Sequence, residues 1–161
     1  MNFLTLFLCY YNFMQILINN KKAYFNYEIL EKYVAGIELF GFEVKSIKAG
    51  QGSLEGAYVT IRGGEAYLIG ANIPAFQAKN TPESYDPIRN RRILLTKKEI
   101  GELALVEAKK GFTMPALAMY NAGGKIKIEI GVGRGKKQFD KRESIKKRDT
   151  EREMRREMKG Y

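Results

Sequence analysis

The sequence predicts a mostly β fold with helices: a small closed antiparallel β-barrel or sandwich that carries one main helix and a basic C-terminal tail. Between residues 33 and 132, short alternating or β-branched runs are separated by glycine-containing turns, which is typical of antiparallel strands. One segment within this region has helical periodicity instead. With 161 residues, of which 45% are hydrophobic, the chain can bury one core of ordinary size.

Six strands are predicted, and they cover residues 35–40, 43–47, 57–61, 66–70, 113–120 and 125–132. Gly63 and Gly64 tolerate positive φ and are expected to form a hairpin turn, as are Gly123 and Gly124. Short strands joined by such turns favour a closed barrel or a sandwich over a parallel sheet.

The main helix is predicted at residues 97–110. Thr96 is a suitable N-cap, and Glu99 at the third helical position completes a capping box. The apolar stripe expected to face the core consists of Ile100, Leu103, Leu105 and Val106. Gly111 is a suitable C-terminal stop. A second, short helix is predicted at residues 27–32.

An apolar extension at residues 1–19 precedes a domain predicted at residues 20–133 and a tail at residues 134–161. No positive region precedes the apolar stretch and no small-residue cleavage pattern follows it, so we expect neither a signal peptide nor a membrane anchor. A translation start at Met14 is a second explanation of the extension. We expect a cytoplasmic protein.

Composition excludes several classes of catalytic and metal site. The chain has no histidine and a single cysteine, Cys9, so an intrachain disulfide, a His/Cys metal site and an imidazole-dependent triad are excluded. The glycine-rich run at residues 131–136 lacks phosphate-loop spacing, because Ile130 and Lys137 stand where Gly and Ser or Thr are required. The carboxylates have no spacing typical of an acid/base pair. We expect no enzyme activity, cofactor or metal.

The predicted tail is strongly basic. It contains 12 Lys or Arg against 6 Asp or Glu, which is +6 of the formal net charge of +10. It has too few apolar residues to form a core, so it is expected to stay disordered until an anionic partner orders it. Two i,i+4 pairs favour a helix on contact: Glu143 with Lys147, and Glu151 with Arg155. A solvated, salt-bridged surface helix is the alternative, but it does not need this excess charge, which suits an RNA phosphate backbone.

Two further stretches combine cations with aromatic or loop residues. In residues 20–27, Lys21 and Lys22 lie beside three aromatic rings, of which at least one is expected to pack in the core. A second stretch, before an apolar strand, holds Arg89, Arg91 and Arg92. Guanidiniums this close together repel one another unless an anionic group faces them. Both stretches are therefore expected to contact RNA.

From about Asn20 to its end, the sequence resembles the small-protein-B family, the SsrA-binding proteins of bacterial trans-translation. The motifs that carry the resemblance are residues 20–23 (NKKA), 41–46 (GFEVKS), 64–66 (GEA), 86–92 (DPIRNRR) with Leu94-Leu95, and 135–142 (GKKQFDKR). Their shared order is far more specific than any one motif.

The resemblance implies a non-enzymatic RNA-binding protein with an oligonucleotide-binding-like β-barrel. In this family the barrel holds the tRNA-like domain of tmRNA, and the protein delivers alanyl-tmRNA to the A site of a ribosome stalled on nonstop mRNA. Elongation factor Tu is then an indirect partner. The tail is disordered in solution and becomes helical in the vacant mRNA channel, near the decoding region of the small subunit.

The expected site residues belong either to the motifs shared with the family or to the basic stretches. The expected RNA-binding set of the barrel is Lys21, Lys22, Lys45, Arg89, Arg91, Arg92, Leu94 and Thr96. The expected ribosome-binding set of the tail is Gly135, Lys136, Lys137, Phe139, Asp140, Lys141, Arg142, Lys146, Arg148, Arg152 and Arg155.

The chain departs from the family at a few positions. Val34 stands where a Glu is common, Gly56-Ala57 where Asp-Ser is usual, and Phe139 where Tyr or His is usual. Stacking on a ribosomal base would survive the change at Phe139, whereas a hydrogen bond from the ring would be lost. The alternative function is a general RNA-binding or ribosome-assembly module of low specificity.

Overall fold

The computed structural model describes residues 15–77, 79 and 81–158, and these form eight strands and four helices. In chain order, the elements are β1 (Gln15–Asn19), α1 (Lys21–Asn26), β2 (Tyr27–Ile37), α2 (Gly41–Lys48), β3 (Tyr58–Arg62), β4 (Glu65–Ile69), β5 (Arg91–Leu94), α3 (Lys97–Ala108), β6 (Phe112–Thr113), β7 (Ala116–Ala122), β8 (Lys125–Gly135) and α4 (Gln138–Glu157). Residues 1–14 of the predicted extension, with the proposed start at Met14, lie outside the described residues.

The strands form a mostly antiparallel sheet, as predicted. Their order is β1-β7-β8-β2-β5-β4-β3, and β6 pairs with β8. The longest ladder joins β2 to β8 and runs from the pair Tyr27 and Gly135 to the pair Gly36 and Lys127. The ladders form an open path from β1 to β3, so the predicted closed ring of strands is not seen as continuous pairing in the described residues.

The core lies on the inner face of the sheet and beneath the helices. Side chains with no exposed surface include Ile47 from α2, Leu68 from β4, Leu103 from α3, Met119 from β7 and Ile128 from β8. β4 alternates inward apolar residues with more exposed ones, as a half-buried antiparallel strand requires, whereas residues 116–120 of β7 are all buried. Burying this shared surface is the main force that holds helices and sheet together.

The helix predicted at residues 97–110 is confirmed as α3. Thr96 is its N-cap and accepts a hydrogen bond from the Glu99 N–H at 3.3 Å, while the Glu99 carboxylate accepts one from the Thr96 N–H at 2.8 Å. Leu103 is fully buried, but Leu105 is 68% exposed, so the stripe facing the core is narrower than predicted. Gly111 follows the helix with φ of +88°, a conformation that glycine adopts without strain.

The strand predicted at residues 43–47 is wrong, because this segment lies in α2. Glu43, Ser46 and Ile47 are buried. Their spacing of three and four residues places them on one face of a helix, whereas a strand would separate them onto two faces. Glu43 also accepts the Phe40 N–H at 2.7 Å, which supplies a hydrogen bond at the start of the helix.

The helix predicted at residues 27–32 is also wrong, because these residues begin β2. A bulge shifts the register between Ile29 and Glu31, which interrupts the two-residue alternation that identifies a strand. Residues 15–19, assigned to the extension, form β1 and pair with β7. The sheet therefore begins before residue 20.

Candidate nucleic-acid interface

A buried carboxylate, Glu43, organises the loop that precedes β5. Its Oε2 accepts a hydrogen bond from Arg89 Nη2 at 2.6 Å, and its Oε1 accepts one from Arg89 Nε at 2.9 Å. Oε1 also accepts from Arg91 Nε and from the Tyr85 hydroxyl, both at 3.0 Å. One carboxylate on α2 therefore holds a phenol and a guanidinium from the loop and the guanidinium at the start of β5.

The contacts of Glu43 fix its charge. Burial alone would raise the pKa of its carboxyl, but hydrogen bonds from Arg89 and the Phe40 N–H, with the charge of Arg91, outweigh burial and lower the pKa. Tyr85 responds in the opposite sense, because burial and its bond to the Glu43 carboxylate raise the pKa of the phenol. At neutral pH the cluster has one negative and two positive groups, a formal charge of +1.

The position of Arg91 corrects the prediction that it contacts RNA phosphates directly. Its side chain is fully buried. Nη1 donates to the Ala71 carbonyl at 2.8 Å, and Nη2 donates to the Pro87 carbonyl at 2.8 Å. A guanidinium enclosed by backbone carbonyls and by Glu43 supports the loop from inside and does not reach a phosphate.

Three aromatic rings extend from this cluster to the surface. Tyr85 packs edge-on against Phe42, with ring centroids 4.8 Å apart, and Phe42 stacks on Phe40 at 5.4 Å. The Arg89 guanidinium carbon lies 4.2 Å from the centroid of the Phe40 ring. Phe40 is 50% exposed, so the series of rings ends at the protein surface.

Other predicted RNA-binding residues lie on α2 and β5. Lys45 is exposed on α2. Arg92 is exposed on β5 and forms an ion pair with Glu65 at 2.6 Å. Leu94 is 55% exposed and packs over Gly36, where an added Cβ would lie 3.3 Å from the Leu94 Cβ. These side chains are accessible to a ligand, although Arg92 already has a partner.

Thr96 is exposed, but its hydroxyl is engaged within the protein. It donates to Glu99 Oε2 at 2.7 Å. The hydrogen bonds from the Thr96 hydroxyl and N–H lower the pKa of the Glu99 carboxyl. Capping α3 is therefore the role of Thr96 in the described structure.

Asn20, the first residue of the NKKA motif, is buried and structural. Its Nδ2 donates to the Leu54 carbonyl at 2.6 Å and to the Ala116 carbonyl at 2.8 Å. Its Oδ1 accepts from the Ala23 N–H at 3.1 Å, which caps α1. One amide thus joins α1 to the segment before β3 and to the start of β7.

Lys21 and Lys22 follow on α1, and both are exposed. Lys22 forms an ion pair with Glu55, which is also exposed. Because an exposed pair of this kind contributes little stability, it can exchange for a phosphate at small cost.

The tail leaves the sheet next to α1. The Lys136 N–H donates to the Asn26 carbonyl at 2.8 Å, and Lys136 Nζ donates to the Tyr24 carbonyl at 3.0 Å. Gly135 ends β8, exposed Lys137 follows, and α4 then extends for 20 residues. The tail residues with described, exposed side chains include Arg142, Lys146, Arg152 and Arg155. The side chains of Phe139, Asp140, Lys141 and Arg148 lie outside the description.

The fold separates the predicted cations into two groups. Lys21, Lys22 and the tail adjoin the first residue of β2, whereas Phe40 and the Arg89 loop adjoin its last residue. β2 is 11 residues long, which corresponds to about 35 Å along the strand. The sequence alone does not separate these cations, but the structure presents them on two surfaces.

The sequence matches the SmpB protein family over residues 17–160. The chain belongs to the SmpB family. An SsrA-binding protein of Cupriavidus necator is 46% identical over 88% of this chain and 95% of its own length, and one of Mesoplasma florum is 49% identical over 88% and 93%. A chain of the solved structure "tmRNA-SmpB: a journey to the center of the bacterial ribosome" is 38% identical, with a TM-score of 0.64 over 77% of this chain and 87% of that chain.

Sequence reasoning missed three residues of the candidate interface. Glu43, Phe40 and Tyr85 were not among the predicted site residues, although Glu43 lies within the quoted GFEVKS motif. The available signal was the helical spacing of Glu43, Ser46 and Ile47, which would have placed a carboxylate on a buried face. A buried carboxylate requires a cationic partner, and the nearby arginine-rich motif supplies it.

Among the described residues, no helix is both long and apolar enough to cross a bilayer. In the same part of the chain, no group of three or more His, Cys, Asp or Glu side chains is arranged to hold a metal ion.

Proposed function

We propose that this chain is a non-enzymatic ribosome-rescue factor, which binds the tRNA-like domain of tmRNA and delivers it to the A site of ribosomes stalled on nonstop mRNA. The observation that carries the proposal is the match to the SmpB family over nearly the whole described chain, with relatives named SsrA-binding proteins. Two sets of exposed cations support it, one on α1, α2 and β5 and the other on the tail, because a factor that bridges tmRNA and the ribosome needs two RNA contacts. Elongation factor Tu is reached indirectly, through alanyl-tmRNA.

The tRNA-like domain is assigned to the sheet and its adjoining helices. Its proposed contacts are Lys21, Lys22, Lys45, Arg89, Arg92, Leu94 and Thr96, while Arg91 acts from the interior through Glu43. Exposed Lys and Arg side chains bind phosphates, and exposed Leu94 packs against sugar or base. The energy of such contacts falls as salt rises.

The decoding region and the vacant mRNA channel are assigned to the tail. Its proposed contacts are Gly135, Lys136, Lys137, Phe139, Asp140, Lys141, Arg142, Lys146, Arg148, Arg152 and Arg155. A 20-residue helix with exposed cations is compatible with a channel walled by RNA phosphates. Bound mRNA would exclude this helix, so the tail would report whether the channel is empty.

The domain proposed at residues 20–133 is an oligonucleotide-binding-like barrel that closes where β3 meets the start of β7. A bridge between Tyr58 and Pro115 supports this closure. So do the hydrogen bond from the Val59 N–H to the Met114 carbonyl at 2.8 Å and that from the Ala116 N–H to the Ala57 carbonyl at 3.0 Å. Because its proposed action is on ribosomes, we propose that the protein is cytoplasmic.

Competition binding tests the assignment to tmRNA. Full-length protein is bound to a labelled transcript of the tRNA-like domain, and unlabelled transcript or bulk tRNA is then added. We expect the transcript to compete at a far lower concentration than bulk tRNA. Equal competition would favour a general RNA-binding module, and it would contradict the proposal.

A charge-reversal variant tests the tail in the full chain. Its substitutions are Arg142→Glu, Lys146→Glu, Arg152→Glu and Arg155→Glu. We expect retained affinity for the tRNA-like domain and loss of peptide tagging on nonstop messages, because the channel would repel the helix. The matched control reverses four exposed lysines at the ends of α3, namely Lys97, Lys98, Lys109 and Lys110. Tagging by the tail variant at the level of the control would refute the role of the tail.

A further inference from the structure

Phe40 occupies a position where a phenyl side chain cannot cap the helix that follows it. It is the N-cap residue of α2, a position at which Ser, Thr, Asp or Asn would supply a side-chain acceptor that a phenyl ring lacks. The carboxylate of Glu43 accepts the Phe40 N–H instead. The ring is 50% exposed, although an aromatic side chain gains most when it is buried. This combination indicates a contact with a group outside the chain.

Arg89 presents a fixed guanidinium plane beside that ring. Its Nε and Nη2 bind the two oxygens of Glu43, so the orientation of the fork is set. The guanidinium carbon is 4.2 Å from the centroid of the Phe40 ring, within the range of a cation–π contact. The N–H groups bound to Glu43 are not available to a phosphate, which makes Arg89 a poorer phosphate ligand than a solvated arginine.

The support beneath these two groups is rigid. Glu43 is fully buried, and Phe42 stacks on Phe40 with an interplanar angle of 28°. Tyr85 closes the series by packing edge-on against Phe42 and by donating to Glu43. A surface group held from below in this way loses little conformational entropy when a ligand binds.

The geometry points to a binding site for one unpaired RNA base, formed by Phe40 and Arg89 with Glu43 as the positioning residue. This inference rests on the proposed function, because that function makes RNA the partner. Bases offer a flat π-face that stacks on aromatic rings and on guanidinium planes, whatever the identity of the base. The net positive charge of the cluster attracts the RNA strand, whereas an apolar peptide would gain nothing from the charged plane.

Affinity measurements on full-length variants test the site, with a transcript of the tmRNA tRNA-like domain as the probe. Phe40→Ala and Phe40→Leu should weaken binding by on the order of tenfold, because each removes the ring on which the base stacks. Phe40→Trp should bind at least as tightly as the unaltered protein. Since Phe40 is half exposed, all three variants are expected to fold, and circular dichroism checks this.

The salt dependence of the same titrations separates stacking from phosphate binding. Phe40→Ala should leave the slope of log affinity against log salt unchanged. The control Lys21→Ala removes a proposed phosphate contact and should reduce the slope by about 0.7 to 0.9. Arg89→Lys keeps the charge but loses the plane, so it should weaken binding without a change of slope.

Ultraviolet crosslinking of the wild-type complex gives a readout that a merely structural Phe40 would not produce. We expect a peptide that contains Phe40 to crosslink to one unpaired nucleotide of the transcript. Wild-type affinity in Phe40→Ala, or a crosslink map without this peptide, would overturn the site while leaving the proposed function intact. A Phe40→Ala variant that binds the transcript normally but no longer binds ribosomes would assign the ring to a ribosomal contact and would also overturn the site. If the wild-type protein showed no preference for the transcript over bulk tRNA, the proposed function itself would be overturned.

Discussion

Arg91 Nε donates to Glu43 Oε1 over 3.0 Å, and neither side chain has any exposed surface. The pair joins the start of β5 to the first turn of α2, across 48 positions of sequence. Charges in such a site are costly to desolvate, so their pairing has to be nearly complete. Here every oxygen of the carboxylate and every nitrogen of the Arg91 fork has a partner.

Replacing Glu43 should therefore destabilise the fold strongly. Glu43→Gln leaves the buried Arg91 charge without its counter-ion, and we expect the free energy of unfolding to fall by about 3–5 kcal/mol. Urea denaturation measures this. The matched control is Glu55→Gln, which breaks an exposed ion pair with Lys22 and should cost less than about 1 kcal/mol. Equal losses of unfolding free energy in the two variants would show that burial does not determine how much an ion pair contributes to stability.

The same carboxylate should make stability depend on acidity. The pKa of Glu43 is lower in the folded protein than its ordinary value of 4.5. The folded state therefore binds fewer protons than the unfolded state, so the stabilisation is complete above that ordinary pKa and is lost as pH falls through the folded pKa. Urea denaturation at a series of pH values should show this loss in the wild type and a flatter profile in Glu43→Gln. Parallel profiles would assign the acid sensitivity to other groups.

Asn20 should prove to be a structural residue rather than an RNA contact. Asn20→Ala removes the cap of α1 and the Nδ2 donor that the Leu54 and Ala116 carbonyls share, which should cost about 2–3 kcal/mol. Asn20→Asp should cost more, because it places a carboxylate against those two carbonyls. Thermal unfolding ranks the variants. In the folded fraction, RNA affinity should match the wild type, and a loss of affinity there would reveal a contact of the Asn20 amide with RNA.

Gly133 and Gly135 lie two residues apart on β8, but alanine substitution should reduce stability strongly at Gly133 and hardly at Gly135. A Cβ at Gly133 would lie 2.2 Å from the Glu28 carbonyl oxygen, which is backbone and cannot move aside easily. Gly133→Ala should cost about 3 kcal/mol, through separation of β2 from β8. A Cβ at Gly135 meets no atom within 4 Å, so Gly135→Ala should change stability by less than about 0.5 kcal/mol. Similar melting temperatures would contradict the close approach of β2 and β8.

The parts of the fold that sequence predicts well are those fixed by local signals. The capping box of Thr96 and Glu99 identified α3, and the Gly63-Gly64 turn identified the hairpin of β3 and β4. In contrast, β2 carries a bulge near Ile29 that disrupts its alternation and is formed only by pairing with β8. The strand predicted at residues 43–47 is wrong because this stretch has only two apolar residues, Val44 and Ile47, which are too few to separate the two periodicities.

In the candidate site, too, sequence predicts the features that depend on local signals but not those that depend on the fold. Composition and motifs identified the cations, including Lys21 and Arg89, but not the distance that β2 puts between them. Burial of Arg91 depends on a carboxylate that is remote in sequence, so the motif alone gave it the same role as Arg92. The exposed ring of Phe40 also needed the fold, because the surrounding residues gave no sign of which aromatic side chain would reach the surface.

The two hydrogen bonds from Lys136 to the end of α1 give the tail a fixed origin. Beyond that point, α4 has 20 residues, or about 30 Å at the usual helical rise. The position of a residue along α4 therefore determines its distance from Lys136. Each residue added after Lys136 moves the C-terminal cations outward by about 1.5 Å and turns them by about 100°. The contact with α1 therefore fixes where the tail starts, and helix geometry fixes how far each cation lies from that start.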